Sequence, residues 1–300
     1  MIGAIIVLYH PDLSLLDRLV GSVVEQVEKI FVIDNTPEPT ADVSLFFDQY
    51  QGSISYLPLG DNKGIATAQN VGIRASMDAG HSHVLLLDQD SALPADMVRK
   101  LLDAESELLR QGKQVAAVGP LFHDEKNGRL CCAVQHSWVH VRWIAVNTTV
   151  DDPSPTDCLN ASGSLIRTSI FERFGLMLDE LFIDSVDIEW CMRCKYGGFG
   201  SYIVPNVTMT HNIGDTAIRI LGRDITLHGH QRHRYIIRNK AYLLRLRTMG
   251  IRWRIVNALG IPKYVLLYSW FSDRPGRSLV RLLRDLFNGL RGKTGRLEEK

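Results

Sequence analysis

The sequence lacks any apolar run of the roughly 18 residues needed to cross a bilayer; the longest near its C-terminus, Tyr264 to Phe271, is far too short. Met1 to Tyr9 carries no basic segment and no small-residue cleavage site, so it reads as a buried strand and not as a secretory signal. Cysteine is scarce and odd in number: five, without disulfide-like spacing, which excludes a disulfide framework and fits a reducing cytoplasm. Cys191 and Cys194 form a C-x-x-C with no second pair to complete a zinc site. Internal repeats and low-complexity tracts are missing too.

Net charge is also near zero, at +1, but it is unevenly spread. Of the 34 Lys and Arg, 19 lie from Thr216 onward, against 5 of the 33 Asp and Glu. An acidic body followed by a basic end implies that the end meets something anionic, or folds back on the body.

Up to about Gly119 short apolar runs alternate with amphipathic stretches. The runs Ile2–Tyr9, Ile30–Asp34, Ile54–Leu59, Val84–Asp88 and Val115–Val118 read as strands, and Leu13–Val27, Asp42–Tyr50, Ile65–Ala79 and Pro94–Gln111 as helices. Strands this apolar imply a mostly parallel sheet covered on both faces, an α/β fold. Ligands of such sheets bind beyond the carboxyl ends of the strands, which directs attention to Tyr9-His10, Asp34-Asn35 and Asp88-Gln89-Asp90. From Leu121 to His211 the pattern predicts short strands, Trp138–Val146 and Cys158–Ile166, and one helix, Ser185–Tyr196. After Thr216 it predicts basic helices over Gln231–Met249, Ile251–Phe271 and Ser278–Leu290.

The strongest chemical feature is Asp88-Gln89-Asp90-Ser91. Two carboxylates separated by one residue at a strand end can share a hard cation, Mg2+ or Mn2+, that keeps open positions for diphosphate oxygens; an Asp-rich turn is the plain alternative. Asp34 could accept a hydrogen bond from the N3–H of a pyrimidine base, or simply close an Asx-turn. Asn62-Lys63-Gly64 opens a helix whose free N–H groups favour a phosphate or sugar oxygen, with Asn70 a turn and a half further on. In the stretch from Asp184 to Trp190, Asp184, Asp187 and Glu189 offer a carboxylate base. A helix from Ser185 would stack Asp184, Asp187 and Cys191 on one face and leave Glu189 to pair with Arg193.

Together, Val7-Leu8-Tyr9-His10-Pro11, Asp34-Asn35, Asn62-Lys63-Gly64 with Asn70, Leu87-Asp88-Gln89-Asp90-Ser91 and the block from Phe182 to Trp190 resemble family 2 glycosyltransferases. Within these they look most like bacterial rhamnosyltransferases that use dTDP-L-rhamnose. The likeness runs in order from about Ile2 to Asn239. It implies a GT-A fold, a divalent cation and inversion at the anomeric carbon. It implies Asp34 on the base, Asp88 on ribose or metal, Asp90 as principal metal ligand, His211 on metal or diphosphate, and Asp187 as catalytic base. Val186 stands where the family has Glu beside that Asp, leaving Asp184 and Glu189 as rivals. Tyr9, His10, Gln89, Arg234 and Arg238 join the nucleotide-sugar set. Ser162, Gly163, Asp184 and Trp190 form the acceptor set.

The expectation is a GT-A catalytic domain over 1–215, with a nucleotide-binding half (1–120) and an acceptor half (121–215), and a basic helical extension over 216–300. In the extension, Trp253, Trp270, Phe271, Leu283 and Phe287 lie among Arg252, Arg277, Arg281 and Arg284, the pattern of an interfacial helix. The expected setting is cytoplasmic, peripheral on the inner face of the cell membrane. The substrates would be a dTDP-rhamnose donor and a lipid-linked saccharide acceptor in surface-polysaccharide synthesis. No nucleic-acid module is visible. Hexosyl or galactofuranosyl transfer from a UDP-sugar, or a non-catalytic sugar-nucleotide or membrane-binding module, are the competing expectations.

Overall fold

The computed structural model describes residues 1–50, 52–124, 128–211, 216–220, 223–227 and 229–298. The first part runs β1 (Ile2–Leu8), α1 (Leu13–Val23), β2 (Lys29–Asp34), α2 (Ala41–Asp48), β3 (Ile54–Pro58), α3 (Ile65–Asp78), β4 (His83–Asp88), α4 (Met97–Arg110) and β5 (Val115–Asp124). Every residue of β1 is buried because helices cover both faces. Successive residues serve opposite cores: Ile5, Val7 and Leu86 lie in one, and Ala4, Ile6, Leu85 and Leu87 in the other. Asp12 starts α1, its carboxylate accepting from Ser14 N–H at 2.8 Å and so capping the helix.

Strand register positions the site. β1 lies between β2 and β4, parallel to both, with Leu8 opposite Asp34 and Val7 opposite Asp88. The three carboxyl ends therefore leave the sheet at one edge.

The chain continues through β6 (Arg129–Leu130), β7 (Ala133–His136), β8 (Val141–Ile144), β9 (Ser154–Thr156), β10 (Leu165–Arg167), α5 (Thr168–Phe174), α6 (Val186–Tyr196) and β11 (Gly200–His211). The main sheet has the order β3-β2-β1-β4-β10-β5-β11-β9, with β6 on β5; β10 sits antiparallel between β4 and β5, and β11 is parallel to β5. The sequence overestimated two strands here. Only Leu165 and Ile166 of the Cys158–Ile166 run lie in a strand, because the chain turns at Gly163 (φ 78°) and Ser164 N–H bonds Ala161 O. Of Trp138–Val146, four residues form β8.

Beyond Thr216 the chain first forms a hairpin, β12 (Thr216–Ile220) with β13 (Arg223–Leu227), correcting the all-helical expectation. Then come α7 (His230–Leu243), α8 (Ile251–Trp270) and α9 (Pro275–Leu290). These helices share a small core of Ile237, Ile261, Val265, Tyr268 and Leu282. Leu243, Met249 and Trp253 are buried in the main core with Trp190, so this region is bound into the body.

Candidate active site

The turn after β4 is held rigidly from two sides. Gln89 accepts from Tyr9 N–H at 2.8 Å and donates to Tyr9 O at 3.2 Å, stapling β4 to β1. Behind the turn, buried Ser162 accepts from Asp88 N–H at 3.1 Å and shares a 2.6 Å hydrogen bond with the buried Ser91 hydroxyl. Gly163 makes this close fit possible: its positive φ suits glycine, and a Cβ there would lie 2.7 Å from Pro120. Gln89 and Ser162 are thus committed to building the turn, and Asp88 and Asp90 remain half-buried at its surface. Tyr9 and His10 are exposed beside them, their rings edge-on at 4.5 Å.

Several expected ligand residues prove to be struts. Asp34 is wholly buried; Thr36 N–H and the Tyr56 hydroxyl donate to its two oxygens at 2.9 and 2.7 Å. The Asx-turn reading describes it, and direct contact with a base is corrected. The N–H groups just before α3 are likewise taken: Lys63 N donates to Asn35 Oδ1 and Gly64 N to Asn62 Oδ1, while Ala66 N, in the first turn, lies 3.5 Å from Phe182 O. Gly64 (φ 86°) lets the Phe182 carbonyl approach to where a Cβ would be 2.6 Å away. Lys63 itself is exposed, beside Asp61. Buried Asn70 donates to Met177 O and Asp179, and accepts from Met177 N, tying α3 to the loop before α6.

On the acceptor side, Trp190 is 1% exposed with its indole N–H on Gly175 O, a core residue and not an acceptor platform. Glu189 is equally buried and takes a bidentate pair from Arg193 at 3.0 and 2.8 Å, which removes it as a base. Arg234 and Arg238 are buried too. Arg234 pairs with Asp285 of α9 at 2.7 Å, while Arg238 bonds the Gly295 and Leu181 carbonyls and Asn239. Both guanidinium groups are engaged within the fold.

Asp187 is placed differently. Helix α6 starts at Val186, one residue later than expected, because Phe182, Asp184 and Ser185 all have φ near 65°. Such backbone in non-glycine residues is costly and gathers at functional sites. It is sustained here by Asn239, fully buried, whose amide donates to the carbonyls of Leu181, Ile183 and Asp184, and by Phe182 stacking on Tyr235 at 5.2 Å. Arg232 donates to Asp184 at 2.9 Å. Burial first, and then the negative charges of Asp184 and Asp88, push the Asp187 carboxyl up to about 6, while its Ile188 N–H bond opposes the rise. An aspartate poised there suits proton abstraction near neutral pH. Asp187 and Asp88, on α6 and β4, are near enough for their charges to act on each other.

For a divalent cation, Asp88 and Asp90 supply hard oxygen donors. Among the described residues no group of three or more His, Cys, Asp or Glu side chains forms a closed cage. Two carboxylates with open positions fit Mg2+ or Mn2+ completed by diphosphate oxygens. The His211 side chain, expected to join them, lies outside the described residues, as does His228. Cys191 and Cys194 are buried and free, and burial raises both thiols, Cys191 to about 12, which leaves them protonated.

Spacing alone gave no sign of the Ser91–Ser162 bond, the Arg232–Asp184 pair or the Asn239 clamp. Each joins segments far apart in the chain; the only local hint was an Asn among the buried positions of a helix.

The family model described as glycosyl transferase family 2 matches residues 4–147. A dTDP-rhamnosyl transferase, RfbF of Shigella flexneri, is 33% identical over 246 residues, covering 81% of this chain and 80% of the relative. S. aureus TarS 1-349 in complex with UDP-GlcNAc superposes with a TM-score of 0.60 at 12% identity, over 96% of this chain and 81% of that one. GalNAc-T7 with UDP, GalNAc and Mn2+ gives 0.59 at 14% identity, over 96% of this chain, which spans only 57% of that protein's length. The fold is GT-A.

Proposed function

Because the chain belongs to glycosyl transferase family 2 and is a glycosyltransferase, we propose that it moves rhamnose from dTDP-L-rhamnose to a hydroxyl of a lipid-linked glycan, inverting the anomeric carbon. The observation that carries this reading is Asp187 at the start of α6, near enough to Asp88 at the end of β4 for their charges to interact, with burial and that charge pushing its carboxyl up to about 6. Its carboxylate takes the proton of the acceptor hydroxyl as that oxygen attacks from behind the departing diphosphate. Asp184, held by Arg232, orients the segment that carries the base and adds to the field that keeps it basic. Asp90 and Asp88 would hold a divalent cation, Mg2+ or Mn2+, which would supply charge neutralisation for the leaving dTDP. Tyr9 and His10, exposed at the β1 tip, and Lys63 at the start of α3 are the residues left to meet the nucleotide sugar. The name of the Shigella flexneri relative supports the choice of donor.

The same reading gives residues 1–215 the chemistry and residues 216–300 the placement at the cytoplasmic membrane face, where surface polysaccharide such as O-antigen is assembled. Among the described residues no helix is long and apolar enough to cross a membrane. Helix α9 is instead inverted: Ser278, Asp285 and Gly289 face the protein with Leu282, while Val280, Leu283, Phe287 and Leu290 are exposed. On α8, Leu259, Leu266 and Trp270 form a second exposed stripe. Apolar ridges beside arginines are the layout of a helix lying in an anionic interface.

Hydrolysis of a panel of dTDP-, UDP- and GDP-sugars with Mn2+ tests the activity. The expected result is fastest turnover of dTDP-rhamnose, abolished by Asp187→Asn with nucleotide binding kept. Preference for a UDP-hexose would reject the donor assignment.

A further inference from the structure

The correction at Arg234 and Arg238 leaves other arginines to explain. The first turns of α7 and α9 and the loop between α8 and α9 border an open depression of about 370 Å3, lined by His230, Gln231, Arg234, Arg274, Arg277 and Arg281. The Arg234 guanidinium is neutralised by Asp285. Arg274, Arg277 and Arg281 have no ion-pair partner among the described residues, and Asp273 is the cavity's one carboxylate. Like charges crowded round a small cavity repel one another until an anion enters. Guanidinium groups in particular match phosphate oxygens in pairs.

Two neighbours narrow the anion. One wall, Gln231, is the chain neighbour of Arg232, which donates to Asp184 in the segment that carries Asp187. On its other side, helix α8 ends in Trp270, 77% exposed, and exposed Phe271, two residues before Asp273. A phosphate-bearing head and a long apolar chain are both provided for.

We infer that this cavity takes the diphosphate headgroup of a prenyl lipid, the carrier of the acceptor glycan. The inference rests on the lipid-linked acceptor proposed above. Arg274, Arg277 and Arg281 grip the phosphates, and the ridge from Trp270 and Phe271 onto α9 meets the lipid chain. The glycan beyond the diphosphate is thereby directed toward Asp187.

The test is titration of the full chain with inorganic pyrophosphate in EDTA, which silences the cation-dependent site at the strand tips. It is paired with sedimentation on phosphatidylcholine vesicles doped with a polyprenyl diphosphate. The double variant Arg277→Ala/Arg281→Ala should bind pyrophosphate at least tenfold more weakly and lose recruitment, with its melting temperature and its dTDP affinity in Mn2+ kept. Arg274→Ala, outside the helix, should weaken binding in the same direction and so guards against a packing effect of the double change. Unchanged pyrophosphate binding in both variants would overturn the site. Pyrophosphate binding without recruitment to the doped vesicles would make it a site for free phosphate and overturn the lipid assignment. If sugar transfer to a lipid acceptor is never seen while these titrations behave as expected, the activity fails and the site stands.

Discussion

At the tips of β1 and β4 the acidic groups Asp88 and Asp90 stay at the surface of a cleft, while on α7 the inward arginines are consumed within the fold. Arg234 meets Asp285, and Arg238 meets the carbonyls of Leu181 and Gly295. Both regions are dense in charge, and a count of residues cannot tell them apart. What separates them is whether neutral or charged side chains do the supporting. At the strand tips the neutral Gln89, Ser91 and Ser162 build the turn that carries Asp88 and Asp90. On α7 the charged groups are themselves the supports. Loss of charge at the tips should therefore cost rate and not fold, and loss on α7 should cost fold before rate.

The largest expected effect is on rate. Asp187→Asn should lower kcat on the order of 10²- to 10⁴-fold, the usual worth of a positioned base, without shifting the melting temperature downward. Because the charged form is the base and burial raises its pKa, wild-type kcat/KM should climb with pH through about 6 and then level off. An ordinary aspartate would place that limb two units lower, near 3.8. A limb absent from the Asp187→Asn profile identifies its owner. A normal profile in that variant would break the comparison.

Second in size is a stability effect. Arg234→Ala leaves Asp285, whose side chain is 1% exposed, as an uncompensated buried charge. The expected loss is about 3–5 kcal/mol by denaturant unfolding. Arg277→Ala, without a partner among the described residues, should stay within about 0.5 kcal/mol in the same assay. Equal losses in the two would show that the distinction between strut and free arginine is wrong.

Smallest in free energy is the membrane contact. Phe287→Asp on the exposed ridge of α9 should reduce sedimentation with anionic vesicles severalfold while leaving dTDP binding intact. Retained sedimentation would move the contact elsewhere.

The elements from β1 to β5 were legible because apolar runs and helical spacing are local. Asp88, Asp90 and Asp187 were singled out by position and resemblance. The fate of Asp34 was not legible: it depended on the Tyr56 hydroxyl, on a neighbouring strand 22 residues away. Arg234 and Arg238 showed the right helical spacing for an anion-binding face, yet Asp285, 51 residues later, turned Arg234 inward. The β12–β13 hairpin was hidden because charged residues interrupt two short apolar alternations and were read as part of a basic helical region.

The central claim is that Asp88 and Asp90 present a cation to a nucleotide diphosphate in the cleft that holds Asp187. Calorimetric titration of dTDP with and without Mn2+, into wild type and Asp90→Ala, tests it most directly. The account predicts at least tenfold tighter dTDP binding with Mn2+ in the wild type and no Mn2+ effect in the variant. Equal wild-type affinity with and without the metal would contradict it.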